Sequence, residues 1–252
     1  MKKRRPDGRL CYFYELKSSK MKEIGSWCIK RVGGKEICNK CHNLLIKHGK
    51  SAANKVRYKC KSCNKTQVAY YTYHAYLPNT NATIITLTKE GLGIPSTARV
   101  LQISTTTLLK RIIAIAKSIP NPVIPYSKTY EVDEMRTYVR KKSKLLWIVY
   151  ALEQETKNIV SFNVGRRTNT TLGKVITSLE LSKAKTIYTD KLKNYRYLIC
   201  KVPHCTKHRG INHIERKNLS IRTHLKRLNR KTICFSRSFV VLVCVLRIYF
   251  WG

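Results

Sequence analysis

Carboxylates are what this chain has least of. Thirteen Asp and Glu stand against fifty-one Lys and Arg in 252 residues, a net charge of +38, and only three of the acids are aspartates. Solubility alone does not explain such a balance. A polyanion is the economical partner, since each phosphate contacted releases condensed counterions and adds salt-sensitive affinity. Long apolar runs are also missing. The longest, Phe239 to Leu246, is closed by Arg247 and is too short for roughly 30 Å of hydrocarbon, which excludes a membrane span and predicts a buried terminal element. No apolar core follows the basic start Met1-Lys2-Lys3-Arg4-Arg5, because Pro6-Asp7-Gly8 comes instead. No secretory signal is therefore expected, and the ten cysteines are expected to be reduced thiols or metal ligands.

Scarce acids need a reason for being where they are. Asp190 ends the β-favouring run Thr186-Ile187-Tyr188-Thr189, and an acid at the C-terminal end of a strand sits where sheet rims gather sites. Beyond it, among fifteen Lys and Arg, the one further acid is Glu215. A helical surface ion pair would want a base three or four residues away, but those positions hold Ile211, Asn212, Asn218 and Leu219. With Asp133, these acids are separated by 56 and 24 intervening residues. Oxygen donors of this kind suit Mg²⁺, and three of them can hold two ions for an in-line phosphoryl displacement. Spacing alone leaves the choice open, since Glu131 and Glu134 compete with Asp133.

The cysteines give the most specific signal. Cys38-x2-Cys41 is followed, after eighteen residues, by Cys60-x2-Cys63, the spacing of a zinc ribbon in which four thiolates close a structural Zn²⁺ site. Cys11 and Cys28 have no neighbour at ligand spacing. His42 is left as a phosphate contact or a bystander, and Tyr70, Tyr71, Tyr73 and Tyr76 as a strand packing the ribbon more than as base-stacking groups. Cys200, His204, Cys205 and His208 match no zinc spacing that carries weight. Gly49-Lys50 reads as a turn, and Val56 to Lys59 as the strand leading to the second knuckle.

From residue 81 the period becomes helical. Ile84, Ile85 and Leu87 form one helix closed by Gly91-Leu92-Gly93; Ser96 opens a second; Ser104 caps a third carrying Leu108, Ile112 and Ile115. Three short helices with a glycine turn read as a helix-turn-helix or as an ordinary packing unit, and the charge favours the first. In that arrangement Thr105, Thr106, Lys110 and Arg111 would reach base edges. Pro120, Pro122 and Pro125 end the helix and mark a stiff linker. Strands at 130–139, 145–152 and 159–164, a helix with Leu172, Val175, Ile176 and Leu179, the strand to Asp190 and a helix from about Ile211 to Leu228 then predict a mixed α/β sheet. The expected organisation is a basic leader (1–33), zinc ribbon (34–77), helix-turn-helix (80–118), linker (119–128) and α/β domain (129–252).

Taken together, Arg57-Tyr58-x-Cys60, Gly91-x-Gly93, Thr97-Ala98-Arg99, Val132-Asp133-Glu134-Met135, Arg167-Thr168, Thr171-Leu172-Gly173, Thr189-Asp190, Ile214-Glu215-Arg216-x-Asn218-Leu219 and Cys234-Phe235-Ser236-Arg237-Ser238 resemble the IS1-type insertion-sequence transposases of the DDE class. The resemblance covers nearly the whole chain from Cys38 and includes the 24-residue gap before Glu215. It implies an RNase H-like catalytic domain in which Asp133, Asp190 and Glu215 bind Mg²⁺, or Mn²⁺. It implies that the ribbon and helix-turn-helix read the double-stranded terminal inverted repeats, and that the chain acts as a homo-oligomer in a synaptic complex, in a bacterial cytoplasm on nucleoid DNA. Arg216, Lys217, Arg222 and Arg227 would follow the DNA backbone, with Asn218 and Arg222 supporting the acids; His213 is not needed as a base. The rival expectation is a DNA-binding regulator, or a decayed transposase, that does not cut. Where the family carries Gly-Trp after the second aspartate, this chain has Lys191-Leu192.

Overall fold

A computed structural model of the chain describes residues 29–252 apart from 53, 69–73, 78, 207 and 230. Cys11, Cys28, Tyr70, Tyr71, Tyr73 and nearly all of the basic leader lie outside the described residues, as does the side chain of Tyr76. The chain divides into two compact units, Met1–Thr80 and Asn81–Gly252.

In the first unit a hairpin of β1 (Lys30–Val32) and β2 (Lys35–Ile37) precedes a three-stranded antiparallel sheet of β3 (Leu45–Lys50), β4 (Val56–Cys60) and β5 (Thr66–Val68), with β4 central. Tyr58 and Cys60 on β4 and Gln67 on β5 are buried. Gly49 is not the turn its sequence indicates. It lies inside β3 with φ +66°, where the pairing with β4 slips between Lys47 and Lys50. A bulge whose extra residue sits in the left-handed region suits glycine, which adopts that backbone without penalty.

The second unit begins with α1 (Thr80–Lys89), α2 (Ile94–Leu101) and α3 (Thr105–Ser118). Ser104 caps α3 by accepting the Thr107 N–H at 3.1 Å. Gly91 has φ +76°, and a side chain there would collide with the backbone of His224, so the close of α1 requires glycine.

Five strands follow: β6 (Thr129–Tyr138), β7 (Leu145–Glu153), β8 (Ile159–Gly165), β9 (Thr186–Thr189) and β10 (His204–Cys205), in the order β10-β9-β6-β7-β8. β6, β7 and β8 form an antiparallel meander, while β9 runs parallel to β6 and β10 parallel to β9. The change to parallel pairing is possible because α4 (Asn169–Leu181) makes the crossover into β9. Leu172, Val175, Ile176 and Leu179 of α4 pack on Tyr130, Val132, Val149, Ala151 and Ile187 of the sheet, together with Tyr195 of the short α5 (Lys193–Leu198).

The opposite face is covered by α6 (Asn212–His224) and α7 (Phe239–Trp251). The expected helix to Leu228 stops at His224, and a 3₁₀ turn over Lys226–Leu228 still buries Leu225 and Leu228. The apolar tail is the predicted buried element. Its Leu242, Val245, Leu246 and Ile248 are buried, Phe250 stacks near Tyr150 and Phe162, and Trp251 donates its indole N–H to the Ile159 carbonyl at 2.7 Å. Arg247 does not interrupt this packing. Its Nε and Nη2 donate to the Ile119 carbonyl at 3.0 and 2.6 Å, satisfying the end of α3 where a cation also meets the helix dipole. Among the described residues no helix is long and apolar enough to cross a membrane.

Candidate active site

The sheet register brings the two aspartates together. Val132 on β6 lies opposite Thr189 on β9 in the parallel pair, so Asp133 and Asp190 each follow directly on a paired residue of neighbouring strands, which lie about 4.8 Å apart. β9 stops at Thr189, so Asp190 leaves the sheet at its C-terminal rim. Its Oδ1 accepts the Leu192 N–H at 3.0 Å, which holds the turn into α5. Glu215 stands exposed in the first turn of α6.

Burial is the largest cause pushing the Asp133 carboxyl above the ordinary aspartate range, and the charges of both Asp190 and Glu215 push it further. The three acids therefore share one field. Against this, the Glu134 N–H donates to Asp133 Oδ1 at 2.7 Å and the Asn218 amide donates to Oδ2 at 2.5 Å. Asn218 is itself fixed by Tyr150, which sits opposite Asp133 on β7 and donates its hydroxyl to Asn218 Oδ1 at 2.8 Å. Three carboxylates, one of them partly desolvated and raised by the others, form a hard-oxygen set whose repulsion a divalent cation would relieve. Their oxygens are not drawn into a tight cluster. Among the described residues the only group of three or more such ligands lying within 4.8 Å of one another is the four cysteines.

The competing acids have other partners. Glu131 is fully buried, with the Ile214 N–H at 2.8 Å from Oε2 and His213 Nδ1 at 2.7 Å from Oε1. Glu134 points to the opposite face. Arg167 Nε and Nη2 donate to its Oε2 at 2.9 and 2.8 Å, and the Tyr195 hydroxyl to its Oε1 at 2.6 Å. Burial raises the Glu134 carboxyl and pushes the Tyr195 hydroxyl far above its usual range. Strand alternation thus turns Glu134 away from Asp133, whereas Glu131 shares the face of Asp133 but is taken up by the start of α6.

Of the basic residues expected near the site, Arg216 is exposed and Lys217 and Arg222 are partly exposed. Arg227 is turned inward, with Nη1 3.5 Å from the Ser236 hydroxyl and its pKa lowered by burial. Asn218 is buried, with both ends of its amide engaged by Asp133 and Tyr150. On α3, Thr105, Thr106 and Lys110 are exposed, and Arg111 donates to Asn81 Oδ1 at 2.7 Å. His204 of the weak Cys/His group bonds Thr189 Oγ1 at 2.7 Å.

In the first unit, Cys38 Sγ lies 3.6 Å from Cys63 Sγ and Cys41 Sγ 3.3 Å from Cys60 Sγ. Four sulfurs bound at about 2.3 Å around one tetrahedral ion stand roughly 3.8 Å apart, so the group is compatible with zinc. Each knuckle turns through a left-handed residue after its second cysteine, His42 (φ 59°) and Asn64 (φ 55°). The Cys63 N–H directed at Cys60 is the main cause lowering that thiol to about 6. Cys41, against the Asn43 N–H that lowers it, is pushed up to about 12 by the contact with Cys60, so this pair shares one thiolate of the kind a metal needs. No other cysteine or histidine group among the described residues gathers in this way.

A mixed sheet in this order, with acids at its rim in so basic a chain, is compatible with a polynucleotidyl transferase of the DDE type. Residues 128–250 match the IS1 transposase family. Insertion element iso-IS1n protein InsB of Shigella dysenteriae is 35% identical over 108 residues, covering 43% of this chain and 82% of that protein. Insertion element IS1 protein InsB of Shigella sonnei is 36% identical over 115 residues, with the same shares. For Insertion element IS1 2 protein InsB of Escherichia coli K12 the identity is also 36% over 115 residues, but the match spans 65% of that protein. The HTLV-2 integrase catalytic core domain in complex with magnesium superposes weakly, with a TM-score of 0.33, 12% identity, and 51% of this chain and 86% of that one covered. The chain belongs to the IS1 transposase family, and it is a DNA transposase.

Proposed function

We propose that Asp133, Asp190 and Glu215 form the catalytic centre of an RNase H-like domain that cuts at the ends of an insertion sequence and joins them to target DNA. The observation that carries this is the shared field of the three carboxylates at the rim where β6 and β9 run side by side. The centre would hold Mg²⁺, or Mn²⁺, through those three side chains; bound there, the ions supply charge neutralisation at the scissile phosphate and activation of the attacking water or 3′-hydroxyl. The protein's own contribution is position and field. Asn218 and the Glu134 N–H orient the two oxygens of Asp133, and the Asp190 side chain is steadied by the turn it closes. Arg216, Lys217 and Arg222 on α6 would pair with phosphates beside the centre, adding affinity that falls with salt. No covalent link between protein and DNA is needed, because hydrolysis frees the 3′-hydroxyl that then attacks the target phosphate.

The N-terminal half would read the DNA. The cysteine group is assigned as a structural zinc ribbon within residues 34–77, and α1 to α3 as a helix-turn-helix within 80–118, with Thr105, Thr106 and Lys110 presented on the exposed start of α3 and Arg111 beside them. Its target would be the double-stranded terminal inverted repeats. Bringing two ends together calls for a homo-oligomer in a synaptic complex, working on nucleoid DNA in the cytoplasm, with residues 119–128 as the connection to the catalytic domain at 129–252.

The test uses labelled DNA carrying the element's own flanks, with Mg²⁺ or EDTA, and compares wild type with Asp190→Ala for binding, cleavage and joining. Mg²⁺-dependent joining that the variant loses while still binding supports the proposal. Binding by wild type without cleavage under any divalent metal supports a regulator or decayed enzyme instead.

A further inference from the structure

Glu131 is a fully buried carboxylate on the strand that carries Asp133, two residues earlier, so both side chains leave β6 toward α6. Burying a carboxylate is unfavourable unless it is paired and hydrogen-bonded. What it meets is the start of α6. The residue before that helix, Ile211, offers no side-chain cap, leaving the first N–H groups without an intrahelical acceptor. Glu131 supplies one from across the fold, accepting the Ile214 N–H at 2.8 Å and meeting His213 Nδ1 at 2.7 Å. Negative charge there is also favoured by the helix dipole.

A second tether lies one turn further on, where Asn218 donates to Asp133. The two tethers match in length. Four residues of helix, from Ile214 to Asn218, advance about 6 Å, and two residues of strand, from Glu131 to Asp133, advance about 6.6 Å. Helix and strand are thereby held in register, and Tyr150 locks the second tether by donating to Asn218. Glu215 follows Ile214 directly and lies between the tethers. Its height along β6 is set by them, and its own side chain is exposed.

We infer that Glu131 is a positioning residue for the metal centre, holding α6 at the height and rotation that bring Glu215 to Asp133 and Asp190. The inference rests on the assignment of those three acids as metal ligands. It requires reach more than charge: Glu131→Gln keeps an oxygen for the Ile214 N–H, whereas Glu131→Asp keeps the charge but falls a methylene short.

The experiment measures Mn²⁺ affinity of the full-length protein without DNA, by electron paramagnetic resonance, alongside hydrogen exchange of α6 and affinity for end DNA. Glu215→Gln serves as the reference for a lost ligand. Glu131→Asp is expected to weaken Mn²⁺ about tenfold and to speed exchange at the start of α6. Glu131→Gln should stay within about threefold of wild type, and both variants should bind end DNA within about twofold of it. If Glu215→Gln loses Mn²⁺ affinity while Glu131→Asp binds Mn²⁺ as wild type does, the positioning role is refuted and the active-site assignment stands. Unchanged Mn²⁺ affinity in Glu215→Gln overturns that assignment and the inference with it.

Discussion

Replacing Asp133 with Asn should stabilise the metal-free protein while destroying its chemistry. Burial is the largest cost of the Asp133 charge, ahead of repulsion from Asp190. Asp190 follows the residue paired across the adjacent parallel strand, and its carboxylate stands roughly 6 Å away, a little over one strand spacing. At an effective dielectric of about 20, two unit charges at that distance repel by about 3 kcal/mol, an upper figure given solvent at the rim. The substitution also weakens the charge-assisted bond from Asn218, offsetting roughly 1.5–2 kcal/mol. Asn218 can restore a contact by reversing its amide, because the Tyr150 hydroxyl can accept as well as donate. The net gain is about 1 kcal/mol, or roughly 2–4 °C in Tm for a unit of this size. The pH dependence has a definite sign. Burial and then the neighbouring charges hold the folded Asp133 carboxyl above its unfolded value, so ionising it costs stability in full above the raised value and not at all below the unfolded one. The advantage of the variant should therefore appear as pH rises through that window and vanish below it. Thermal unfolding in EDTA and in Mg²⁺ reads both effects, with Mg²⁺ at ten times its Kd adding about 1.4 kcal/mol to wild type and little to the variant. A variant less stable than wild type in EDTA at neutral pH, or stabilised equally by Mg²⁺, would refute the reasoning.

Cys60→Ser, or removal of metal by a chelator, should unfold residues 29–68 while α4 and the five-stranded sheet keep their hydrogen-exchange protection, because structural zinc binding supplies folding free energy to the unit that holds it. Leu246→Ala removes a fully buried side chain of α7 and should cost about 2–5 kcal/mol in denaturant unfolding. Arg167→Ala strips the cation from buried Glu134 and should cost on the order of 1–2 kcal/mol, less than a fully buried pair because Arg167 is itself partly exposed. Since burial already raises the Glu134 carboxyl and losing Arg167 raises it further, this deficit should shrink as pH falls through the raised value. A deficit that grows on acidification would count against it.

Much of the architecture is legible in the chain because its elements announce themselves by period. The four longer sheet strands, α3 with its Ser104 cap and α4 follow directly from alternation and i, i+3, i+4 spacing. What escapes is short or decided at a distance. α5 (Lys193–Leu198) and the two-residue β10 carry no period of their own. α6 ends early because Leu225 and Leu228 can be buried equally well by a 3₁₀ turn. Among Glu131, Asp133 and Glu134 spacing gives no basis for choosing, and only the family resemblance names Asp133. The pairing of Val132 with Thr189 and the separate partners of the two glutamates are features of the fold that no spacing announces. Arg227 reads from sequence as part of a basic, DNA-facing helix, yet packing turns it toward Ser236, whereas Asn218, expected beside the acids, donates to Asp133. Nothing in the strand pattern marks Tyr150 as the residue that fixes Asn218.

Metal-directed backbone cleavage tests the central claim most directly. Fe²⁺ bound in place of Mg²⁺, with ascorbate and peroxide, cuts the chain where the metal resides. Fragments ending near residues 133, 190 and 215, suppressed by excess Mg²⁺ and lost in Asp190→Ala, are the predicted result. Cleavage confined elsewhere, or unchanged by that substitution, would contradict a metal centre built from Asp133, Asp190 and Glu215.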